Sequence, residues 1–464
     1  MTNSPDYRNL FVGLDQQVPL LDGTCCQYIN FDNAASTPPM QPVKDTLDRF
    51  LPYYSSVHRG TGFKSQLSTW AYDNARDVIL SFVGADPQTH TVIFGKNTTE
   101  AVNKLAHRLP FTPERNVVLV SLMEHHSNDL PWRCAGQVEH IATHPDGSLD
   151  EEDFDRLLSR YSRQVALVSI TGASNVTGFI NPIHRLAEKT HRAGAQIAVD
   201  CAQLAPHRKI SMGSLGDPQH LDYIFISGHK MYAPFGTGAL IGRRDTFEAG
   251  NPDLRGGGQV EIVTVDDVTW TDPPEKDEAG SPNVVGAVAL SAAIRTLNKI
   301  GMDNVAAHEA ELTTYLLERL PQVPGLTIFG DHDPKNTLAR LGVVPVNFEQ
   351  YQHAMVSAIL GYEFGIGVRH GCFCAHPYLL SLLGVNQAEA EVVRDQMRAH
   401  DKRSVPGLVR ISFGLYNTTD EIDALLDALV KIAHGEFKGE YTQHKASGEY
   451  RPKGWKMDFE KLIY

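Results

Sequence analysis

The chain of 464 residues carries only six cysteines and shows no internal repeat or low-complexity tract. It also has no apolar run near the roughly 20 residues that cross a bilayer. The thiols at Cys25, Cys26, Cys134, Cys201, Cys372 and Cys374 are too sparse for a secreted disulfide framework, and no paired CxxC spacing marks a zinc ribbon. Free thiols are expected, and no metal site. Residues 1–14 lack a basic region followed by an apolar core, so no targeting segment is read there and a cytoplasmic location is expected. Net charge is −13, from 42 Lys and Arg against 55 Asp and Glu. Such a surface repels phosphate backbones and anionic lipid, which disfavours nucleic-acid and membrane partners. With 42% hydrophobic and 21% charged residues, the composition is that of a globular protein long enough for two or three cores.

What is present is a repeating alternation. Short aliphatic runs at 91–94, 116–121, 165–170, 196–200 and 222–226 are bounded by Gly, Asn, Asp or Ser. Segments of helical period, such as 98–109 and 182–193, lie between them. Buried strands separated by helices predict an α/β fold with a mostly parallel sheet covered on both faces. A large domain is expected over 31–295. A smaller α+β domain is expected from 1–30 plus 296–464, with helices near 287–301, 305–320 and 419–432 and strands near 326–329 and 343–347. The stretch from about 437 to 464 reads as a C-terminal extension that wraps a neighbouring surface or is partly disordered.

In parallel sheets ligands bind beyond the carboxyl ends of strands, and the residues there carry chemistry. Ser227-Gly228-His229-Lys230 follows one run. A lysine at a buried strand end loses its proton more easily than usual and can condense with an aldehyde; a surface loop lysine is the plain alternative. Asp200 ends another run, where a carboxylate can keep a pyridine nitrogen protonated, although many such aspartates merely cap helices. Thr98 and Thr99 open a helix, which suits a phosphate or a capping box. His125 could lie against an aromatic ring, and Asn175 could offer an amide to a ring hydroxyl.

Taken in order, Thr98-Thr99-Glu100, Glu124-His125-His126, Ser174-Asn175-Val176-Thr177-Gly178, Asp200 with Gln203, and Ser227-Gly228-His229-Lys230 resemble the class V aminotransferase group of pyridoxal-phosphate enzymes. Within it the chain is similar to the SufS-type cysteine desulfurase and selenocysteine lyase branch. The likeness runs from Phe31-Asp32-Asn33-Ala34-Ala35-Ser36 through Val57-His58-Arg59-Gly60 and Glu278–Asn283 to Val409-Arg410-Ile411-Ser412, roughly 400 residues.

The resemblance implies fold type I and pyridoxal 5'-phosphate as cofactor. It makes Lys230 the cofactor-holding and proton-moving residue, Asp200 the partner of the pyridine nitrogen and His125 the ring-stacking residue. Gln203 and Asn175 would contact the ring oxygen, and Thr98, Thr99, Ser227 and His229 the phosphate. Ser281 would reach the phosphate of a partner subunit, implying a homodimer with shared active sites. Arg410 and Arg369, with Asn33 and Ala34, would bind the substrate. Cys374, after Arg369 and before Ala375, fits the nucleophile that takes sulfur from cysteine as a persulfide, releases alanine and passes the sulfur to an acceptor protein.

The pattern departs in places. Cys372 and Phe373 stand where the branch has two histidines, and Gly62 replaces a histidine after His58-Arg59-Gly60. Cys372 reads as a small apolar filler, a resolving thiol or half of a strained pair. The alternatives to desulfuration are a C–S lyase, a selenocysteine lyase, another elimination or decarboxylation enzyme of the group, or a binding scaffold without chemistry.

Overall fold

Seven strands, in a computed structural model that describes residues 6–463, make the central sheet. They are β1 (His90–Gly95), β2 (Val117–Ser121), β3 (Gln137–Ile141), β4 (Val165–Thr171), β5 (Gln196–Asp200), β6 (Tyr223–Ser227) and β7 (Gly238–Arg243). Their order is β1-β7-β6-β5-β4-β2-β3. The pairs among β2 to β6 are parallel, and β7 alone runs antiparallel to both its neighbours. Every residue of β2 and of β6 is buried. That is why these strands read as continuous apolar runs rather than as alternations.

Strand β7 was not expected, because it follows a glycine-rich turn that reads as a loop. Its first residue must be small. A Cβ added at Gly238 would lie 2.6 Å from the Cα of Asn97 and 2.7 Å from the carbonyl oxygen of Ile226. The close approach sets β7 against the turn that opens helix α1 (Thr98–Arg108), where the Asn97 side chain caps the helix by accepting from the Glu100 N–H.

Helix α2 (Val284–Ile300) is buried along most of its length. After Gly301, at φ 89°, α3 (Met302–Leu317) begins. Its Met302 and Val305 pack into the core around the large sheet, whereas Leu312, Leu316 and Leu317 enter a second core. The second core surrounds an antiparallel sheet of β8 (Leu326–Ile328), β9 (Val343–Phe348), β10 (Arg369–Gly371) and β11 (Leu408–Ser412), in the order β8-β9-β11-β10. Helices α4 (His353–Phe364) and α5 (Thr419–Ala433) cover it with Val356, Ile359, Leu425 and Leu429. Each such aliphatic side chain contributes about 1.5–3 kcal/mol on burial.

The N-terminal segment joins both layers. Ile29–Asn30 pairs in parallel with Ile366–Gly367, while Phe11 packs edge-on against Tyr232 and Tyr416. The described part of the C-terminal extension packs on its own chain. Strands Tyr441–Gln443 and Tyr450–Pro452 form a hairpin. The Tyr441 hydroxyl donates to Glu363 at 2.9 Å, and Trp455 meets the ring of Tyr362 on α4. Among the described residues no single helix is long and apolar enough to cross a membrane, and the apolar pair α2 and α3, bent by 78°, is packed into the two cores.

Candidate active site

The carboxyl ends of β4, β5 and β6 and the turns after β1 and β2 converge on a cavity of about 220 Å³, closed from the other side by β10, β11 and the loop between Gly371 and His376. This is the place where open α/β sheets bind ligands.

Lys230 reaches it through a tight turn, Gly228–Lys230, directly after β6. Burial pushes its amine down to about 8, although the Asp200 carboxylate across the cavity pulls the other way. Asp200 ends β5 and is buried; burial raises its carboxyl, opposed by the Ala202 N–H at 2.9 Å and by Lys230. The cavity therefore holds an amine that sheds its proton near neutrality, facing a carboxylate.

Along the next wall, the first turn of α1 presents Thr98 and Thr99. The Thr98 hydroxyl is 2.9 Å from that of Ser227, and the Thr99 hydroxyl 2.6 Å from that of Ser127. Hydroxyls grouped at a helix N-terminus suit an anionic oxygen cluster. His229 borders the same wall, its imidazole pushed down to about 4 by burial. His125 follows β2. Its Nδ1 accepts from the Ser127 N–H at 3.1 Å, so the ring proton sits on Nε2. Burial first, and then the charge of Lys230, push this imidazole down to about 3. A neutral, flat ring thus faces the cavity. The Gln203 amide donates to the carbonyl of Ala34 at 2.7 Å, tying the N-terminal segment to the wall.

On the opposite wall, Arg410 of β11 is buried and pushed down to about 10 by burial, with Asp32 opposing. Its Nη1 donates to the Asn175 carbonyl at 2.9 Å and its Nη2 to Asp32 Oδ1 at 3.2 Å, while its buried Nε has no partner. Arg369 lies directly opposite it on β10 and donates from Nε to Asp32 Oδ2 at 3.1 Å.

Cys374 is exposed on the loop that follows β10. Phe373 and Cys374 both take left-handed backbone angles, φ 53° and 55°. Each costs a non-glycine residue about 1–2 kcal/mol. The loop is held against that cost by the Asn175 side chain, which donates to the Phe373 carbonyl at 2.8 Å. The His126 N–H donates to the Cys374 carbonyl at 2.7 Å, and the Arg410 guanidinium lies 4.9 Å above the Phe373 ring. Cys372 is half-buried, and burial pushes its thiol up.

Most residues expected at the site from the sequence therefore line this one cavity: the lysine, Asp200, Gln203, Asn175, His125, the Thr98–Thr99–Ser227–His229 group, both arginines, Ala34 and Cys374. Two do not. Asn33 is buried and does not line the cavity. Ser281 lies outside the cavity of its own chain; it is exposed and borders a second cavity beside Lys96, Thr237 and Asn283. Sequence reasoning missed Ser127, whose hydroxyl also meets His125 Nδ1 at 2.9 Å, and Asp32, which holds both arginines. Asp32 stood inside a motif already singled out and Ser127 directly follows one, but only contacts across the fold assign them work.

The aminotransferase class-V family model matches residues 29–425. The chain belongs to the class V aminotransferase family. Members of this family depend in general on pyridoxal phosphate. A probable cysteine desulfurase of Halalkalibacterium halodurans is 34% identical over 436 residues, 92% of this chain and 98% of the relative. The cysteine desulfurase of Haloferax volcanii is 34% identical over 409 residues, 86% of this chain and 88% of its own. Among solved structures, the apo cysteine desulfurase of Thermococcus onnurineus NA1 superposes with a TM-score of 0.76 at 30% identity, covering 88% of this chain and 95% of that one. The Escherichia coli cysteine desulfurase CsdA, in an S-sulfonic acid form, gives 0.74 at 28% identity over 93% and 98%. The expected fold type I arrangement, α/β with a large mostly parallel sheet, is the one this class V chain adopts.

Proposed function

We propose that this chain is a pyridoxal-phosphate-dependent cysteine desulfurase that takes sulfur onto Cys374 and releases alanine. The observation that carries this reading is the convergence of the Lys230 amine, the buried Asp200 carboxylate and the exposed Cys374 on one cavity. The donor set fits the cofactor: hydroxyls at a helix start for its phosphate, an anion for its ring nitrogen, a flat neutral imidazole for its face and a titratable amine for its aldehyde. Bound there, the cofactor would supply an aldehyde that captures the substrate amine and a cationic ring that withdraws electrons from Cα.

The chain's own residues do the rest. Thr98, Thr99, Ser227 and His229 anchor the phosphate. Asp200 keeps a proton at the ring nitrogen, while His125, neutral, covers the ring without adding charge. Lys230 moves the proton at Cα, a task that needs an amine able to titrate near neutrality. Arg410 orients the substrate carboxylate through a planar fork that lysine would reproduce poorly. The Cys374 thiolate then attacks the substrate sulfur. A sulfur–sulfur bond forms as the Cβ–sulfur bond breaks, the electron pair passes to the carbon side, and protonation there completes alanine. Holding thiol and substrate in one cleft replaces an encounter between free reactants, worth about 7–11 kcal/mol at best.

The exposure of Cys374 suits delivery of sulfur to an acceptor protein. A homodimer is part of the same reading. Ser281 is free to serve a second copy's phosphate site, and the exposed side chains of Phe63, Trp70, Ile262, Val263 and Val265 offer apolar surface for pairing.

The test uses two variants of the cofactor-loaded protein. Cys374→Ser is expected to keep the visible absorption of the bound cofactor and to lose sulfide release from cysteine by about 100-fold or more. Lys230→Ala is expected to lose both. A Cys374→Ser variant that still releases sulfide at the wild-type rate would overturn the reading in favour of an eliminating C–S lyase.

A further inference from the structure

Cys374 sits in a tight turn. The Ala375 N–H donates to the Cys372 carbonyl at 2.9 Å, which closes the chain over Phe373 and Cys374 in their left-handed angles. Turns of that kind are usually built from glycine, asparagine or aspartate. With other residues they persist only where the surroundings over-determine them.

His126 grips this turn on both sides of Ala375. Its backbone N–H donates to the Cys374 carbonyl at 2.7 Å. Its Nε2 accepts from the His376 N–H at 3.3 Å and lies 3.1 Å from His376 Nδ1. A main-chain N–H can only donate, so His126 Nε2 is bare, its ring proton is on Nδ1, and His376 Nδ1 carries the proton it shares. The two rings are parallel to within 5°, their centroids 5.0 Å apart. The arrangement needs His126 to be neutral. Burial pushes both imidazoles below the ordinary histidine value; for His126 the charges of His376 and Arg133 add to this, while Asp129 opposes. Asp129 is itself engaged by Arg133 at 2.6 Å and by His140 at 3.1 Å.

Neither His126 nor His376 lines the cavity. The adjacent histidines of Glu124-His125-His126 thus divide the work: His125 borders the cavity, and His126 faces the turn that carries the thiol. We infer that His126 and His376 are positioning residues for sulfur transfer, a latch that fixes the Cys374 turn so that the thiol meets the substrate sulfur. The inference deepens the desulfurase reading and rests on it for the role of Cys374. The nucleophile stands on a loop, where an error of about 1 Å in placement costs on the order of 100-fold in rate.

The test mixes the cofactor-loaded protein with L-cysteine and stops the reaction at intervals. Sulfur on the Cys374 peptide is read by mass spectrometry, and capture of cysteine by the change in the cofactor's visible absorption. His126→Ala removes the acceptor of both bonds. It is expected to slow sulfur transfer by about tenfold or more while the cysteine concentration that half-saturates capture stays unchanged. His126→Gln, whose amide oxygen can accept where Nε2 does, is expected to restore the rate to within about threefold of the wild type. His376→Ala, which removes one bond from the other side, is expected to fall between the two. Transfer at the wild-type rate in either Ala variant overturns the proposal. Equal slowing in His126→Ala and His126→Gln overturns it too, as does a loss of capture that matches the loss of transfer. Absence of sulfur on Cys374 of the wild type is instead the failure of the desulfurase reading. The latch is then read from amide hydrogen exchange across residues 372–378, expected to be faster in His126→Ala than in the wild type and His126→Gln; exchange that does not change overturns it.

Discussion

The amine of Lys230 can be interrogated without cofactor or substrate. With its titration pushed down to about 8 by burial, roughly one molecule in ten carries a neutral Lys230 amine at pH 7. An ordinary lysine near 10.4 is neutral about 250-fold less often. Intrinsic nucleophilicity falls with basicity. A Brønsted slope of about 0.5 over the difference returns a factor of about 16. A net preference of roughly 15-fold for Lys230 over an exposed lysine remains. Trace acetylation of the cofactor-free protein, followed by quantitative peptide mass spectrometry from pH 6 to 10, is expected to show that preference with a midpoint near pH 8. Asp200→Asn supplies the sign. Asp200 stabilises the charged amine, so its neutralisation should move the midpoint below that of the wild type and raise labelling at pH 7. Labelling of Lys230 in step with surface lysines, a midpoint above pH 10, or an upward shift in the Asn variant would refute the electrostatic account.

Two further outcomes are expected. Arg410→Lys should raise KM for cysteine by about tenfold with a smaller effect on kcat, because the planar fork is lost while the charge remains; steady-state kinetics check it, and a change confined to kcat contradicts it. Asp222→Asn should lower the unfolding free energy by about 2–4 kcal/mol. The Asp222 side chain is buried and accepts from the Ile197 N–H and Arg243, and its two oxygens meet Nε2 of the stacked pair His191 and His220, at 2.9 and 3.2 Å. Burial works against the Asp222 carboxylate, but hydrogen bonds from His191 and His220 hold it below the usual range, whereas the bond to Asp222 raises His220. The Asp222 contribution is present above about pH 3.9 and lost as pH falls through its folded value. The His220 contribution is full below about pH 6.5 and lost as pH rises through its raised value. The gap between wild type and variant, from denaturant midpoints, should therefore be widest between about pH 4 and 6.5 and narrow above; a gap that grows from pH 6 to 9 contradicts the cluster.

The strands that position the site were legible because they are buried on both faces. β2, β4, β5 and β6 are largely apolar, and their ends are marked by Ser121, Thr171, Asp200 and Ser227. β7 escaped because Gly238 and Gly242 give it the texture of a turn, although the first is dictated by the backbone of Asn97. β3 escaped because its exposed Gln137 and half-buried Glu139 and His140 carry no strand pattern. Residues that touch ligand were legible as chemistry at strand ends. Those that touch other residues were not: Ser127 matters through Thr99 and His125, and Asp32 through two arginines more than 300 positions away. Asn33 lies off the cavity lining, since a motif locates a backbone segment without saying which side chain faces the cavity.

The transfer of sulfur to Cys374 can be read directly on the protein. Cofactor-loaded wild type, incubated with L-cysteine and digested without reductant, should yield the peptide carrying Cys374 with one added sulfur atom, and that mass should be absent in Cys374→Ser. Release of alanine and sulfide while the Cys374 peptide stays unmodified at every time sampled, with the Ser variant equally active, would contradict the account.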